Sequence, residues 1–354
     1  MFLRSLGWNE YFETNFSQRR HKEMIPARVS EESKGSYRVM CEEGEFAATI
    51  AGKIRFHGQE RFDLPAVGDW VVARLSNEKD RAVIESVLPR QTLLSRRVAG
   101  RKTEEQVLAA NINTVFVVSS LNQELNIKRL ERYLSMVWQS GAIPVIVLTK
   151  ADLCEDPEVW RSAVERAALG VEVCIISAQT GYGIESVKRH LSIGKTIAFV
   201  GSSGVGKSTL INFLSGTKQQ KIADIRESDD HGRHTTSSRQ MILLPGSALV
   251  IDTPGMRELQ LWDAGEGLTH AFADVEELAA NCRFRNCRHK GEPGCAVDAA
   301  LKEGVLPYER FVNYEKLKAE LRFLQMKTDV KLRQETKSYA KRLCKNHRRR
   351  YPKF

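Results

Sequence analysis

The sequence lacks any apolar run long enough to cross a membrane. Its longest apolar segments, such as residues 142–148, have the length of a strand, whereas a transmembrane helix needs about 20 residues. The first ten residues are interrupted by charged and polar side chains and contain no apolar core of a signal peptide. The 7 cysteines are an odd number, and four of them are scattered, which argues against the disulfide framework of a small secreted protein. We therefore expect a soluble, cytoplasmic protein without a membrane partner.

Acidic residues are scarce at one end of the chain. The 354 residues include 54 Lys and Arg against 44 Asp and Glu, a net charge of +10. Residues 316–354 alone hold fourteen basic and three acidic residues, so their net charge is +11 and that of the other 315 residues is −1. A neutral body with one basic tail indicates a polyanionic partner, such as a nucleic acid or an anionic surface. The hydrophobic content of 42% argues against general disorder.

Residues 25–90 are predicted to form a small β-barrel. Five or six short β segments alternate here with turns marked by five glycines. A barrel of this size is commonly an oligonucleotide-binding (OB) fold. Its aromatic residues could stack on bases, although an ordinary position in the barrel core is the preferred interpretation. They are Tyr37, Phe46, Phe56 and Trp70.

From about residue 113 apolar strands alternate with helical segments, which predicts a parallel sheet with crossover helices. Within it, residues 201–208 match the phosphate-loop pattern Gly-x4-Gly-Lys-Ser, with a strand before and an amphipathic helix after. The backbone N–H groups of such a loop bind phosphate. We expect Lys207 to hold the β- and γ-phosphates and the Ser208 hydroxyl to bind Mg²⁺. The predicted nucleotide-binding residues of this segment are Gly201, Ser202, Ser203, Gly204, Val205, Gly206, Lys207, Ser208 and Thr209.

A second strand supplies a carboxylate for the metal ion. Residues 248–251 are apolar, and Asp252, which follows them, is expected to bind Mg²⁺ through water. Gly255 follows three residues later, and we expect its N–H group to reach the γ-phosphate. Loops that respond to a γ-phosphate commonly place one Thr hydroxyl on the metal. Residues 232–236, Gly-Arg-His-Thr-Thr, supply two candidates, of which Thr236 is preferred to Thr235 as the Mg²⁺ ligand.

The element that selects the base lies upstream, in residues 145–152. This strand ends in the four residues Thr149, Lys150, Ala151 and Asp152. They are close to the Asn-Lys-x-Asp sequence of guanine-specific sites. A carboxylate at the last position accepts hydrogen bonds from the ring N–H and the exocyclic amine of guanine, and adenine has no such pair of donors. A later strand that ends in Ser177 and Ala178 strengthens the assignment. Thr in place of Asn removes an amide that ties this loop to the phosphate loop, so we expect modest nucleotide affinity.

Three cysteines and a histidine lie close together in residues 282–295. Four ligands of this kind suit tetrahedral Zn²⁺, and a shell filled by protein leaves no position for a catalytic water. We therefore predict one structural zinc ion held by Cys282, Cys287, His289 and Cys295. Basic residues between the ligands could bind phosphates or could be solubilising charge. They are Arg283, Arg285, Arg288 and Lys290.

The nucleotide-binding segments follow one another in the order base, base, phosphate, switch and metal, as in a circularly permuted GTPase. With Gly-Arg-His-Thr-Thr at residues 232–236, the preceding barrel and the trailing Cys/His segment, the chain resembles the ribosome small subunit-dependent GTPase A family over about residues 25–315. The resemblance implies a multidomain α/β fold. Residues 1–95 would form an N-terminal extension and an OB-like barrel, 96–272 a circularly permuted P-loop GTPase domain, and 273–354 a zinc-binding α-helical domain with a basic helical tail.

The resemblance also implies a function. Members of this family are bacterial factors of small-subunit assembly, so we expect a GTP hydrolase that binds GTP and GDP with Mg²⁺. It would act late in maturation of the small (30S) ribosomal subunit and couple hydrolysis to release. The expected partners are the small subunit and its rRNA, and a monomer is the simplest state. Permutation tethers the C-terminal domain to the switch at residues 252–255, so loss of the γ-phosphate could reorient that domain.

The hydrolytic step needs a group that orients water. Met256 stands where small GTPases often place a glutamine for this purpose. His234 is the preferred substitute, with support from the resemblance, and His231 is the second candidate. The predicted catalytic residues are His234, Lys207, Thr236 and Gly255. We expect weak intrinsic turnover that rises when a partner orders the loop.

Two other functions fit parts of the sequence. A non-hydrolytic RNA-binding module would have a decayed nucleotide site, which the intact Lys207, Ser208 and Asp252 argue against. An ATP-dependent nucleic-acid enzyme would show competition of GTP by ATP. The basic run at residues 341–350 is either a disordered solvated end or a phosphate contact, and the ribosomal resemblance favours the second. RNA fits better than DNA because no helix presents an obvious face to the major groove.

Overall fold

The computed structural model describes most of the chain in twelve ranges of residues. They are 2–19, 23–33, 35–52, 54, 61–76, 78, 80–97, 105–122, 125–216, 239–246, 248–252 and 265–328. Within these ranges, no helix combines the length and the apolar composition that a membrane span requires.

Strands build the N-terminal and central parts of the fold. The strands are β1 (Ile25–Ser33), β2 (Ser36–Cys41), β3 (Gly44–Ile50), β4 (Trp70–Leu75), β5 (Arg81–Val87), β6 (Leu93–Arg97), β7 (Glu105–Ala110), β8 (Thr114–Ser120), β9 (Ile143–Thr149), β10 (Glu172–Ile175), β11 (Thr196–Val200), β12 (Arg239–Leu243) and β13 (Leu249–Asp252).

Helices flank the central sheet and form the described part of the C-terminal end. The α-helices are α1 (Phe2–Ser5), α2 (Glu10–Ser17), α3 (Ile127–Gln139), α4 (Pro157–Ala167), α5 (Ile184–Lys188), α6 (Lys207–Ser215), α7 (Gly265–Ala271), α8 (Ala273–Ala280), α9 (Ala296–Lys302) and α10 (Tyr308–Thr328). Short 3₁₀ helices cover Arg61–Asp63 and Ala151–Leu153.

The first five strands close into a barrel. Their order is β1-β2-β3-β5-β4, and β4 pairs back onto β1. All of these pairs are antiparallel except β3 with β5, so the architecture is that of a five-stranded OB-like barrel. Tyr37 and Trp70 are buried, which supports the core interpretation of the aromatic residues, and Phe46 is partly buried. Phe56 lies outside the described residues.

The central sheet has the strand order β10-β9-β8-β11-β13-β12. Neighbouring strands are parallel except β12, which runs antiparallel to β13. The strands β8 and β11 are buried along their whole length, because helices cover both faces of such a sheet. Three of its strands, β8, β9 and β10, precede β11, the strand that enters the phosphate loop. This order is a circular permutation, and the predicted fold class is confirmed.

The barrel and the central sheet are continuous through one strand pair. β1 pairs with β12, with Glu31 opposite Gln240 and Glu32 opposite Arg239. Arg239 Nη1 also donates to Glu32 Oε2 at 3.0 Å and to the carbonyl of Val107 at 2.9 Å. The junction therefore consists of backbone pairing together with a partly buried ion pair.

The N-terminal helices pack on the barrel at Trp70. Phe12 and Phe16 of α2 are buried, and the Trp8 ring meets the edge of Trp70 with 4.7 Å between centroids. Arg28 is almost fully buried, and its guanidinium donates to the carbonyls of Leu6, Gly68 and Asn111. Burial lowers the pKa of Arg28 to about 9, so the side chain is still a cation at neutral pH. One cation thus links three distant segments.

Helix α7 crosses α3 at very close range. A Cβ atom added to Gly267 would lie 1.9 Å from the carbonyl oxygen of Ser135, which no real side chain permits. A Cβ at Gly265, the first residue of the same helix, would meet nothing within 4 Å. Helix α10 packs against the same region, with Tyr314 and Leu317 buried beside Phe272. The C-terminal helices are therefore fixed to α3.

Candidate functional site

The loop between β11 and α6 has the backbone of a phosphate loop. Gly201, Gly204 and Gly206 have φ angles of 147°, 78° and 92°, which glycine adopts readily and other residues rarely adopt. A Cβ at Gly201 would lie 2.3 Å from the carbonyl oxygen of Val118. Glycine is therefore required at this position by contact as well as by conformation.

Lys207 and Ser208 begin helix α6 at the inner side of this loop. Lys207 Nζ donates to the carbonyls of Gly201 at 2.7 Å and Ser202 at 2.5 Å, which holds the ammonium group over the loop. A helix N-terminus with a cation beside it is a favourable position for phosphate. Ser208 Oγ is buried and has no hydrogen-bond partner among the described residues. A buried hydroxyl with a free oxygen fits a metal ligand. Thr209 is exposed.

The guanine-type loop after β9 is tied directly to the phosphate loop. Thr149 is buried, and its hydroxyl donates to the carbonyl of Val205 at 2.6 Å, with Ser119 O as a second, longer acceptor at 3.3 Å. Lys150 follows in the left-handed region with φ 59°, and Ala151 N donates to Ile176 O at 3.1 Å. The hydroxyl of Thr149 therefore makes a direct tie in a position where guanine sites commonly have an Asn amide.

Ser177 holds the carboxylate of Asp152. The Ser177 hydroxyl donates to Asp152 Oδ1 at 2.5 Å and accepts from Thr180 N at 3.2 Å. Its backbone is fixed as well, because Ser177 N donates to Tyr182 O at 2.9 Å. Ser177 is fully buried, Asp152 is exposed and the neighbouring Ala178 is half-buried. An exposed carboxylate that is oriented in this way can accept hydrogen bonds from a base.

These segments lie on one edge of the sheet. The strands β9, β10 and β11 are parallel, so the residues that follow their carboxyl ends meet at the same side, where ligands bind in open α/β sheets. The structure thereby brings together residues 149–152, 177–178 and 201–209. Asp252 ends β13, which is parallel to β11, and its backbone therefore reaches the same edge. The other predicted residues of this site lie outside the described residues: His231, His234, Thr235, Thr236, Gly255 and Met256.

Arg129 contacts the phosphate loop from outside, a contact that the sequence did not indicate. Its Nη1 donates to Ser202 Oγ at 2.6 Å. The two residues are 73 positions apart, and neither motif nor spacing connects them. An arginine on a polar helix surface is ordinarily a solvated residue, so only the folded structure reveals this contact.

The four residues of the Cys/His segment converge on one point. Their ligand atoms all lie within 4.8 Å of one another. Cys282 Sγ is 3.6 Å from His289 Nδ1 and 3.9 Å from Cys295 Sγ, and the His289 Nδ1 to Cys295 Sγ distance is 3.4 Å. A tetrahedron with Zn–S of about 2.3 Å and Zn–N of about 2.0–2.1 Å has edges of about 3.6–3.8 Å. The cluster therefore has the ligand types and the size for a tetrahedral zinc ion.

Glu292 closes the loop that carries these ligands, a role that the sequence did not indicate. Its carboxylate accepts from the N–H groups of Arg288 at 3.0 Å and Lys290 at 2.7 Å. The backbone hydrogen bond from Lys290 leads the causes that lower the pKa of Glu292 below its ordinary value. At the far end of the loop, Cys295 Sγ accepts from Asp298 N at 3.3 Å and so caps α9.

An exposed basic and aromatic surface surrounds the cluster. The four basic residues Arg283, Arg285, Arg288 and Lys290 are all exposed. Phe284 is 44% exposed, with the Arg283 guanidinium 5.5 Å from its ring centre. Side chains of this kind can contact phosphates and stack on bases. The basic run at residues 341–350 lies outside the described residues.

Comparison with known proteins points to one family. The family model described as RsgA GTPase matches residues 87–262. The small ribosomal subunit biogenesis GTPase RsgA of Methanosarcina acetivorans is 42% identical over 349 residues, which cover 98% of this chain and 93% of the relative. The protein of the same name from Syntrophotalea carbinolica is 42% identical over 338 residues, which cover 93% and 92%.

Solved structures give the same result. YjeQ from Thermotoga maritima aligns with a TM-score of 0.64 and 28% identity over 84% of this chain and 98% of that chain. YloQ, described as a circularly permuted GTPase, aligns with a TM-score of 0.60 and 26% identity over 86% and 98%. The permuted strand order of the central sheet therefore has counterparts among solved structures.

Proposed function

Because this chain belongs to the RsgA GTPase family and is a GTP hydrolase, we propose that it acts on the small ribosomal subunit late in assembly and couples hydrolysis to its own release. One observation carries the assignment to guanine nucleotides: the Asp152 carboxylate, held by Ser177, and the phosphate loop are joined by the Thr149 to Val205 hydrogen bond. A nucleotide joins a base to phosphates at a set distance, so a site that selects it must hold its base-binding and phosphate-binding groups at a matching separation.

The nucleotide would bind along this edge of the sheet. Asp152 would accept hydrogen bonds from the ring N–H and the exocyclic amine of guanine. The backbone N–H groups of the glycine-rich loop donate to the β-phosphate. Lys207 then neutralises the β- and γ-phosphates from a position already fixed by two loop carbonyls. The loop is thereby preorganised, which lowers the cost of binding.

Mg²⁺ fits the unpartnered Ser208 hydroxyl, and we propose that Thr236 is a further ligand and that Asp252 binds the ion through water. When bound, Mg²⁺ neutralises charge on the phosphates. The Gly255 N–H would donate to the γ-phosphate, and His234 would orient the attacking water, since Met256 cannot. A histidine in a loop orients water only when a partner fixes the loop. We therefore expect weak turnover without the ribosome.

The Cys/His cluster would hold one structural zinc ion. Four protein ligands fill its tetrahedral shell, so its role is to fold the short loops between α8 and α9, not to catalyse a reaction. Ordering these loops fixes the exposed basic residues around Phe284. We propose that this surface and the basic tail bind rRNA, with affinity that falls as salt rises. Ribosomal subunits are assembled in the bacterial cytoplasm, and we propose that location, with a monomer as the working form.

The decisive experiment measures GTP turnover with added small subunits, large subunits or intact ribosomes. We expect stimulation of at least tenfold by small subunits and much less by large subunits. Equal rates under all conditions would refute action on the small subunit, and a rate of zero throughout would favour a non-hydrolytic binding module. Competition by ATP, run in parallel, separates guanine-specific binding from the ATP-dependent alternative.

A further inference from the structure

The N-terminal end of helix α3 contacts the phosphate loop. The helix begins at Ile127, and the Asn126 side chain caps it by accepting from the Arg129 N–H at 3.1 Å. The Arg129 guanidinium donates to Ser202 Oγ at 2.6 Å. The carbonyl of the same serine accepts from Lys207 Nζ at 2.5 Å. Arg129 therefore restrains the part of the loop that orients the phosphate-binding lysine.

The same turn of α3 is bound to α10. Glu131 is 2% exposed and accepts from Arg310 Nη1 at 2.7 Å and from Asn313 Nδ2 at 2.5 Å. Arg132 forms a bidentate pair with Glu320, with both N···O distances at 2.8 Å. Bidentate pairs have a fixed geometry, because two parallel hydrogen bonds must be satisfied together. Helix α10 therefore cannot slide along α3 without breaking these contacts.

Arg310 of α10 fixes the contact between α10 and α3. All five of its N–H groups have acceptors at 2.7–2.9 Å, namely Glu131 Oε1, both Asp274 carboxylate oxygens and the carbonyls of Ala167 and Ala271. Its guanidinium also lies 4.7 Å from the centre of the Phe272 ring. Burial opposes the charged form, but hydrogen bonds and charge from Asp274 and Glu131 prevail and raise the pKa of Arg310 above its ordinary value. Breaking a buried pair on one side is strongly unfavourable, since it leaves an uncompensated charge.

We propose that Arg129 is a positioning residue through which α3 couples α10 to the phosphate loop. Arg129, Glu131 and Arg132 lie within four consecutive residues, about one helical turn, so a shift of α10 moves the Arg129 backbone. The hydrogen bond to Ser202 passes that shift to the loop and changes its affinity for nucleotide. By linkage, the bound nucleotide biases the position of α10 in return.

The coupling would carry ribosome binding to the nucleotide site. Helix α10 leads into residues 329–354, which hold most of the charge of the basic tail. If that tail binds rRNA, binding would displace the C-terminal end of α10. The zinc cluster contacts the other end of this helix, where His289 meets Phe311. This last step alone rests on the proposed function, whereas the contact between Arg129 and the loop does not.

The first test uses the free protein and a fluorescent GTP analogue. Glu131→Gln keeps the shape of the side chain, removes a charge that faces Arg310 and leaves the phosphate loop untouched. We expect it to raise the dissociation constant at least threefold in the natural background and less than 1.5-fold when Arg129→Gln is already present, since coupled residues are non-additive. Equal effects in both backgrounds, or no effect in either, would overturn the proposal. Arg132→Gln, at a partly exposed pair, replaces Glu131→Gln if that variant does not fold.

Lys128→Gln is the matched control. It removes a charge from the same turn of α3. The salt bridge of Lys128 is to Glu309 of α10 at 3.4 Å, but both side chains are exposed, so this pair holds the two helices together only weakly. Its dissociation constant should stay within 1.5-fold of that of the unmodified protein. A larger change would mean that any loss of charge on α3 weakens nucleotide binding, and it would overturn the specific role of Arg129.

The second test adds small ribosomal subunits. Their stimulation of GTP turnover is expected to fall at least fivefold in Arg129→Gln and to be unchanged in Lys128→Gln. Full stimulation in Arg129→Gln would overturn the coupling to subunit binding. If the unmodified protein shows no stimulation, the proposed function fails, and the result with the free protein still decides whether α3 couples α10 to the loop.

Discussion

Replacing Thr149 with valine tests how the guanine-type loop is joined to the phosphate loop. Thr149 is 4% exposed, and its hydroxyl donates to the carbonyl of Val205, which is 3% exposed, at 2.6 Å. Valine has nearly the same shape as threonine without the hydroxyl, so the substitution removes this bond without opening a cavity. The Val205 carbonyl is then left buried without that donor.

The magnitude follows from the burial. Leaving a buried polar group without its partner costs about 1–3 kcal/mol. This cost divides between the free energy of unfolding of the free protein and the free energy of nucleotide binding, because the loop can relax more easily when empty. If all of it appears in binding, the dissociation constant rises by a factor between about 5 and about 150. GTP and GDP are expected to weaken alike, because the loop holds phosphates that both contain.

The assay combines titration of fluorescent GTP and GDP with thermal or denaturant unfolding of the free protein. Thr149→Ser is the matched control, since it keeps the hydroxyl and should bind within twofold of the unmodified protein. The reasoning is refuted if Thr149→Val changes the binding and unfolding free energies by less than about 0.5 kcal/mol in sum, the usual effect of a neutral surface substitution. It is also refuted if the serine and valine variants lose affinity equally.

Three further predictions concern the base, the metal cluster and the helix crossing. Asp152→Asn should weaken GTP binding about 100-fold and abolish its preference over ATP in a competition titration, because an amide cannot accept both guanine hydrogen bonds; a variant that still discriminates would contradict the base assignment. Elemental analysis should find one zinc ion per chain, and Cys287→Ser or a strong chelator should remove it and lower the melting temperature, whereas a metal-free protein of equal stability would rule out a structural ion. Gly267→Ala should lower the free energy of unfolding by about 3 kcal/mol, because its Cβ would overlap the Ser135 carbonyl, and Gly265→Ala on the same helix should leave it nearly unchanged; equal denaturant midpoints for the two variants would disprove the close crossing.

The predictions of the candidate site that are most direct need only short stretches of sequence. The phosphate loop at residues 201–208 and the cluster at residues 282–295 are recognisable because each chemical task needs particular residue types at a fixed local spacing. The family was also identified from the sequence, since the permuted order of these segments is itself information in the chain. The barrel was predicted from the alternation of short apolar strands and glycine turns, although its closure through β4 and β1 was not.

Contacts between distant residues could not be predicted in this way. The sequence indicated that Thr149 weakens the tie to the phosphate loop, and the structure gives that hydroxyl a direct bond to a carbonyl 56 residues away. The motif predicts Asp152 from its position, but the group that orients it, Ser177, lies 25 residues away in the sequence. No periodicity distinguishes a hydroxyl that caps a loop from one that faces water.

The sequence by itself determined which residue types are available: a Gly-x4-Gly-Lys-Ser loop, a Thr-Lys-Ala-Asp segment, three cysteines with a histidine, and a basic C-terminal segment, each encoded within a few dozen consecutive residues at most. The tertiary structure decided how those parts act on one another. Arg129 reaches Ser202 across 73 residues, and Glu131 meets Arg310 across 179. Such pairs exist only after the sheet has formed and the helices have packed on it, because packing brings together backbone and side chains that local spacing does not relate.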